Sequence, residues 1–296
     1  MISDAIRFIF NPKTPFWTGK AMDLLFDGIP INCTSKNFKA RTICSTFEAG
    51  EIEYIQQVSD DATEFKFSLF GAFNDSTNGV FKVYRGKKEV TDIGRIVEVD
   101  GQLDIDVWNS DEENKFKGTD GYWIPPFRNI HDRIWVYERQ ICATLDLEYT
   151  QKTHHRGVPL RTFSQNLDRF STNKAYCREN GSCPIQGTLD LFNCIGVPLI
   201  ATLPHFLDTH PSLLANIQSG LQPNRKAHEI YISIDLKSGI PFLVAKRLQI
   251  NFELAPIPEI EVMANFRSII FPWIWVEERL KLNGAYVTLI HSTLIS

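Results

Sequence analysis

Residues Ile230–Leu254 read IYISIDLKSGIPFLVAKRLQINFEL, and their pattern predicts the fold. Apolar residues recur at every second position from Ile230 to Leu236, which is typical of a β-strand with one buried face. Lys237-Ser-Gly239 predicts a turn, and a second alternating strand follows it. The apolar residues of that second strand are Leu248, Ile250, Phe252 and Leu254. We expect an antiparallel pair with an apolar buried face and a polar face in water.

Alternation of the same kind occurs in the first half of the chain. The predicted strands there are Phe65–Leu69, Phe81–Val83, Ile96–Val99 and Leu103–Val107. Asp100-Gly101 separates the last two strands and predicts a tight β-hairpin. Helical patterns are few, at Thr18–Phe26 and after Pro211. We therefore predict a mainly β chain with some α-helix and antiparallel sheets, folded as one β-rich domain.

Composition excludes several classes of protein. The 296 residues are 43% hydrophobic and 22% charged, which is typical of a folded chain. A net charge of −4 without a basic cluster argues against nucleic acid as a partner. The sequence contains neither a secretory signal nor a run of about 20 apolar residues. The uncharged segment 282–296 stops abruptly, and we expect that the chain is cut there.

Three of the six cysteines lie close together, at Cys177, Cys183 and Cys194. A zinc site with His154 and His155 would need tighter spacing between its cysteines, and a redox site would need C-x-x-C. Disulfides fit better, because the cysteine count is even and three N-x-S/T glycosylation acceptors occur. These acceptors are Asn32, Asn74 and Asn180. An oxidising compartment is favoured, and reduced cysteines in a cytosolic protein remain the alternative.

No catalytic motif is present, so the sequence predicts neither an enzyme nor a cofactor or metal site. Asp104 and Asp106 share one face of a predicted strand, and a secreted β-rich hydrolase that uses them is one alternative function. The chain is rich in aromatic residues, with 21 Phe, 8 Tyr and 6 Trp. Such a content fits either an ordinary sandwich core or a barrel with a lined cavity for an apolar ligand.

Four motifs, in this order along the chain, resemble the CD36 family of class B scavenger receptors. They are Gly118-Thr-Asp-Gly-Tyr-Trp-Ile-Pro-Pro-Phe127, Thr202-Leu-Pro-His-Phe-Leu207, Leu221-Gln-Pro-Asn-Arg-Lys-Ala-His228 and Ala245-Lys-Arg-Leu-Gln-Ile-Asn251. Asp23-Leu-Leu-Phe-Asp-Gly-Ile-Pro-Ile-Asn-Cys33 resembles the insect branch of this family, the sensory neuron membrane proteins. The resemblance covers much of residues 118–276.

The resemblance implies an antiparallel, β-barrel-like ectodomain with a hydrophobic tunnel and a helical cap. By this comparison residues 1–296 form a partial ectodomain that lacks its N-terminal part and most of the cap. Residues 1–30 would be a remnant of the cap, 31–281 the β-rich ectodomain and 282–296 the approach to a C-terminal transmembrane helix. Within the ectodomain, 142–194 would be the disulfide region. The implied pairs are Cys142 with Cys194, Cys177 with Cys183, and Cys33 with Cys44.

The family also implies a function. We expect a non-enzymatic, lipid- or pheromone-binding receptor on the extracellular face of the plasma membrane. It would capture long-chain hydrophobic ligands and pass them toward the membrane or a neighbouring odorant receptor in olfaction. A general scavenger receptor or a lysosomal lipid and cargo transporter is the alternative within the family. The ligand-binding residues are not predicted, because strand register decides which side chains point inward.

Overall fold

The structure is a computed structural model that describes residues 2–10, 12–14, 16–50, 52, 54–71, 74–77, 79–290 and 292–293. The chain forms two compact units. The first comprises Met1–Asn78 with Leu254–Ser268, and the second comprises Gly79–Glu253 with Ile269–Ser296. These boundaries do not coincide with the family-based division at residues 30 and 281. That division stays a prediction.

The first unit is a small α+β layer. Its elements are α1 (Ile2–Phe10), β1 (Ile29–Asn32), α2 (Phe38–Glu48), β2 (Ile55–Gln57), β3 (Glu64–Phe67) and a short 3₁₀ turn, Glu261–Met263. The antiparallel sheet has the order β1-β3-β2. Asn37 caps α2, because its side chain accepts a hydrogen bond from the N–H of Lys39 at 2.9 Å. Phe65 of β3 is fully buried and packs against Phe47 of α2.

The helix predicted at Thr18–Phe26 forms in part: it begins only at Ala21, and it ends at Gly28 as predicted. The structure has only a short helical segment there, with a π-helical turn at Asp23–Asp27 that ends at Gly28. Met22 offers no capping side chain, and Gly19 lies directly against the ring of Trp17. A helix without a cap and with an early glycine is intrinsically weak, so the chain between Thr18 and Lys20 stays irregular.

The second unit contains one eight-stranded antiparallel sheet and one two-stranded sheet. Its strands are β4 (Phe81–Val83), β5 (Ile96–Val99), β6 (Ile134–Glu138), β7 (Ala143–His155), β8 (Val158–Gln165), β9 (Thr188–Asp190), β10 (Leu199–Thr202), β11 (Ile230–Ile234), β12 (Pro241–Leu254) and β13 (Ile269–Lys281). The large sheet has the order β6-β7-β8-β11-β12-β10-β9, and β13 also pairs with β12. Among the described strands this sheet is open rather than a closed barrel. The prediction of a mainly β fold with antiparallel sheets is confirmed.

Short helices connect these strands. They are α3 (Asp111–Asn114), α4 (Asp168–Thr172), α5 (Phe192–Ile195), α6 (Pro211–Ala215), α7 (Arg225–His228), α8 (Gly284–Ile290) and the 3₁₀ turns Val90–Asp92, Arg139–Ile141, Lys174–Tyr176 and Pro204–Phe206. Helix α6 confirms the helix predicted after Pro211, which occupies its first turn. No helix in the described part of the chain is both long and apolar enough to cross a membrane.

The hairpin predicted at Asp100-Gly101 is half right. The turn forms, since Val99 and Gln102 exchange backbone hydrogen bonds of 2.9 and 3.0 Å. The second strand does not form, and β5 pairs with β4 instead. The side chain of Asn114 accepts hydrogen bonds from the N–H groups of Val107 and Trp108, at 3.2 and 2.8 Å. These contacts draw the chain toward α3 instead of into a ladder.

The β11–β12 pair forms as predicted, but the faces of β12 differ from the expectation. Arg247, Gln249 and Asn251 are at most 2% exposed, so the polar face is the more deeply buried one. Leu248 and Ile250 on the other face are only partly buried and pack against the main core. The prediction of a water-facing polar side is therefore wrong for this strand. Neighbouring polar groups satisfy the buried side chains, which makes their burial possible.

Candidate functional site

The structure joins the six cysteines in three disulfides. The pairs are Cys33–Cys44, Cys142–Cys194 and Cys177–Cys183. The first lies in the first unit, where it fastens the end of β1 to α2. The other two lie in the second unit. With all cysteines oxidised, no thiolate is available for the zinc alternative, and the described residues contain no cluster of metal-ligating side chains.

The predicted glycosylation acceptors and the two candidate hydrolase carboxylates lie on the surface, whereas His155 is buried. Asn32, Asn74 and Asn180 are exposed, and Asn180 lies inside the loop that Cys177 and Cys183 close. Their glycosylation stays a prediction. Asp104 and Asp106 are also exposed, on the irregular segment between β5 and α3.

Three of the four sequence motifs meet in a cluster that we call the histidine junction, made of His205, His228, Arg247, Gln249 and Glu277. The imidazole rings of His205 and His228 stack with their centroids 4.2 Å apart. Asn224 donates its N–H to Nδ1 of His228 at 3.0 Å, and Gln222 does the same to His205. Both rings are therefore held by backbone groups of the segment around α7.

The backbone of His205 is bonded to β12, whose polar side chains form a buried network. The N–H of His205 donates to Oε1 of Gln249 at 2.8 Å. Gln249 in turn donates to Oδ1 of Asn251 at 2.7 Å, and Asn251 donates to Thr202 Oγ1 and to the carbonyl of Ile200. A network of this kind is stabilising only when every member has a partner, and here the members supply one another.

The buried guanidinium of Arg247 completes the junction. It donates to the carbonyl oxygen of Glu229 at 2.9 Å, and its Nε pairs with Glu277 of β13 at 2.5 Å. Removal from water disfavours a charge, so the ion pair with Glu277 is needed to hold this side chain inside. Burial lowers the pKa of His228, and the nearby charges of His205 and Arg247 lower it further. His228 is therefore neutral at neutral pH.

The turn that carries His205 is strained. His205, Phe206 and Asp208 all have φ near +57° or +58°, in the left-handed region that non-glycine residues rarely adopt. Asp208 forms an ion pair with Arg225 of α7 at 2.5 Å, which ties the turn to the neighbouring helix. Such strain persists only where the surroundings fix the backbone, and it is frequent at functional positions.

Strand β13 lies at the edge of the large sheet, where it pairs with β12 alone among the described strands. Its residues and the neighbouring loop of the first motif expose large apolar side chains that we call the aromatic face. These are Tyr122, Trp123, Val276 and Leu280, which are 40% to 68% exposed, whereas the exposed Phe271 and Trp275 alternate to the opposite side of β13. A cluster of exposed apolar residues is typical of a surface that binds a partner or a ligand.

The two sides of β13 contact different polar groups. Alternation along a strand places Trp275 and Glu277 on the side of the histidine junction, and the ring of Trp275 meets that of His228 edge-on at 6.0 Å. A shallow pocket of about 420 Å³ opens there, lined by Asn224, Lys226, Ala227, Arg247, Glu277 and Arg279. A second pocket of about 370 Å³ is lined by His154, His155, Tyr231, Leu243, Arg279, Leu280 and Lys281.

On the other side of β13 lies a group that we call the lysine–glutamate cluster, made of Tyr122, Glu138, Lys246 and Glu278. Nζ of Lys246 is 2.6 Å from a carboxylate oxygen of Glu138 and 2.6 Å from one of Glu278. The hydroxyl of Tyr122 donates a long hydrogen bond of 3.4 Å to the second carboxylate oxygen of Glu278. Burial alone would lower the pKa of Lys246, but the two carboxylates raise it. The lysine therefore remains charged.

All four motifs thus converge on strand β13 and its neighbours. A model of the CD36 family matches residues 1–296, the whole chain. The chain belongs to the CD36 family.

Among curated proteins, sensory neuron membrane protein 1 of Aedes aegypti is 37% identical to this CD36-family chain. The alignment covers 99% of the chain and 54% of the length of the relative. The Anopheles gambiae protein of the same name is 35% identical over 97% of the chain and 53% of the relative. The Manduca sexta protein is 33% identical over 99% and 56%. The chain spans about half the length of the curated relatives it matches. The resemblance to the insect branch is confirmed by these similarities.

For this CD36-family chain, sequence reasoning did not identify Arg247, Gln249 or Glu278 as site residues. The sequence contains one indication of them, because Arg247 and Gln249 are polar residues at alternate positions of a long predicted strand. Their burial depends on His205 and on the α7 segment, whose positions are set by tertiary contacts and not by local pattern.

Proposed function

We propose that this chain is the ligand-binding part of a non-enzymatic receptor that captures a long-chain lipid or lipid-like pheromone on the aromatic face. The observation that carries the proposal is the set of exposed aromatic and aliphatic side chains along β13 and the adjoining loop. Covering these side chains with an apolar chain would remove their surface from water, which is the main source of affinity for such ligands.

Three features support an extracellular position at the plasma membrane. Disulfides persist in oxidising compartments. Each of the three predicted glycosylation acceptors, Asn32, Asn74 and Asn180, is exposed. The similar proteins carry the name sensory neuron membrane protein. In the longer protein we propose that further strands complete a barrel-like wall, that the aromatic face contributes to a hydrophobic tunnel, and that the ligand passes to the membrane or to an odorant receptor.

Photo-crosslinking tests where the ligand binds. The full chain, secreted from insect cells, is exposed to a long-chain alcohol that carries a diazirine, and labelled peptides are identified by mass spectrometry. We expect saturable labelling within 118–127 and 269–281 that an excess of unlabelled alcohol abolishes. Labelling that does not saturate, or that falls on unrelated exposed residues such as Leu103, would overturn the proposal. Preference for lipoprotein over single long-chain molecules would favour the scavenger alternative.

A further inference from the structure

The lysine–glutamate cluster interrupts the apolar surface of β13. Alternation along the strand places Val276, Glu278 and Leu280 on the same side, so the carboxylate lies between two exposed aliphatic side chains. Tyr122 adds its phenol to the same spot, and Trp123 follows it in the loop. A ligand that covers this apolar surface must place some group against Glu278 and Tyr122.

The cluster carries an excess of negative charge. Lys246 contributes one positive charge, whereas Glu138 and Glu278 contribute one negative charge each. Asp120 lies near enough to act on the pKa of Tyr122 with the same sign as Glu278. Arg279 does not neutralise this negative charge, because its side chain lies on the opposite side of β13. There its Nε is 3.9 Å from a carboxylate oxygen of Glu277.

The hydrogen-bonding capacity of the cluster is not exhausted. The side chain of Glu278 is 60% exposed although Lys246 occupies one of its oxygens. A carboxylate has about four acceptor positions, so Glu278 can still accept a hydrogen bond from outside. The charge of Glu278 is the main cause of the raised pKa of Tyr122, and burial adds to it, so the phenol keeps its proton.

We propose that the lysine–glutamate cluster binds the hydroxyl head group of a neutral long-chain alcohol and discriminates against the carboxylate of a fatty acid. This inference rests on the proposed function, since it names the chemical class of the ligand that the aromatic face takes. The ligand hydroxyl donates its proton to Glu278 and accepts the hydrogen bond that Tyr122 otherwise donates to Glu278, while the alkyl chain lies along Val276 and Leu280. A carboxylate has no proton to donate and meets like charge, which weakens binding.

Binding of three matched ligands to the purified full chain tests this. The ligands are dodecanol, dodecanal and dodecanoate, measured at pH 7.5 below their aggregation limits. We expect dodecanol to bind at least about tenfold more tightly than dodecanoate, with dodecanal between them. Equal or tighter binding of dodecanoate would overturn the inference. Failure of all three ligands to bind saturably would instead overturn the proposed function.

Two variants that change only the charge at position 278 provide a second test. Because each variant is judged by its preference between two ligands, a general loss of folded protein does not imitate the expected result. Glu278→Gln removes the excess negative charge while Lys246 keeps Glu138, and Glu278→Lys reverses the charge. We expect the preference for dodecanol to fall to within about threefold in the first variant and to invert in the second. Lys281→Gln, on the same strand but on the opposite side, is the matched control and should leave the preference unchanged. An unchanged preference across the series would contradict the assignment of Glu278.

Discussion

His205 and His228 stack with their ring centroids 4.2 Å apart and their planes inclined by 21°. The contact joins the strained turn after β10 to the segment of α7, and it lies beside the buried Arg247 and the edge strand β13. A positive charge on His228 would be disfavoured by its burial and by the neighbouring His205 and Arg247. The histidine junction is therefore a place where pH acts on the fold.

Lowering the pH should destabilise the second unit through His228. Burial, His205 and Arg247 lower the pKa of His228 below the ordinary value of 6.5. Below pH 6.5 the unfolded chain therefore binds a proton that the folded chain does not. The free energy of unfolding should fall as the pH drops from 6.5 toward the folded-state pKa, and then level off. Urea unfolding between pH 7.5 and 5.0 measures this.

His228→Asn is the matching variant, because the side-chain oxygen of asparagine can still accept the N–H of Asn224. We expect a shallower dependence of the unfolding free energy on pH in this variant. His131→Asn is the control, since His131 is exposed, and it should leave the slope unchanged. A slope that is the same in both variants would show that His228 is not the group that titrates.

The two disulfides of the second unit should differ in their contribution to stability. Cys142 and Cys194 are 52 residues apart, whereas Cys177 and Cys183 are 6 apart. In the chain-entropy description the long loop contributes about 4 kcal/mol and the short one about 2 kcal/mol. Cys142→Ala with Cys194→Ala should therefore lower the urea midpoint more than Cys177→Ala with Cys183→Ala. The opposite order would contradict this account.

Asn251 should be costly to replace although it is polar. Its amide donates to Ile200 and Thr202 and its oxygen accepts from Gln249, with the side chain fully buried. Asn251→Ala removes these bonds and leaves a cavity, so we expect a loss of about 2–3 kcal/mol. Asn216→Ala, at an exposed position after α6, should cost less than about 0.5 kcal/mol. Similar losses for the two variants in chemical unfolding would disprove the role of the network.

The sequence predicts the strands more reliably than their environment. The isoleucines of β11 are buried as their alternation indicates, and the turn at Asp100-Gly101 forms. Alternation marks two faces of β12 but does not say which one is buried, and the partners of Gln249 and Arg247 come from distant segments. Tertiary contacts also prevent Leu103–Val107 from forming the predicted strand, because the side chain of Asn114 accepts the hydrogen bond of the Val107 N–H.

The site itself was only partly predictable. The four motifs were recognised as family features, yet their meeting point around β13 follows from strand pairing that no local pattern contains. The cysteine pairs were implied by the family resemblance, since spacing alone leaves the connectivity open. Glu278 belongs to none of the four motifs, and its role depends on contacts with Tyr122 and Lys246.

The central claim is that the aromatic face binds a long-chain apolar ligand. Its most direct test is the equilibrium binding of tritiated dodecanol to the full chain and to the variant Val276→Ser with Leu280→Ser. Val83→Ser with Val90→Ser, at exposed positions away from β13, is the matched control. We predict saturable binding that the β13 variant weakens by at least about tenfold and the control leaves unchanged. Equal binding by all three proteins, or binding that never saturates, would contradict the account.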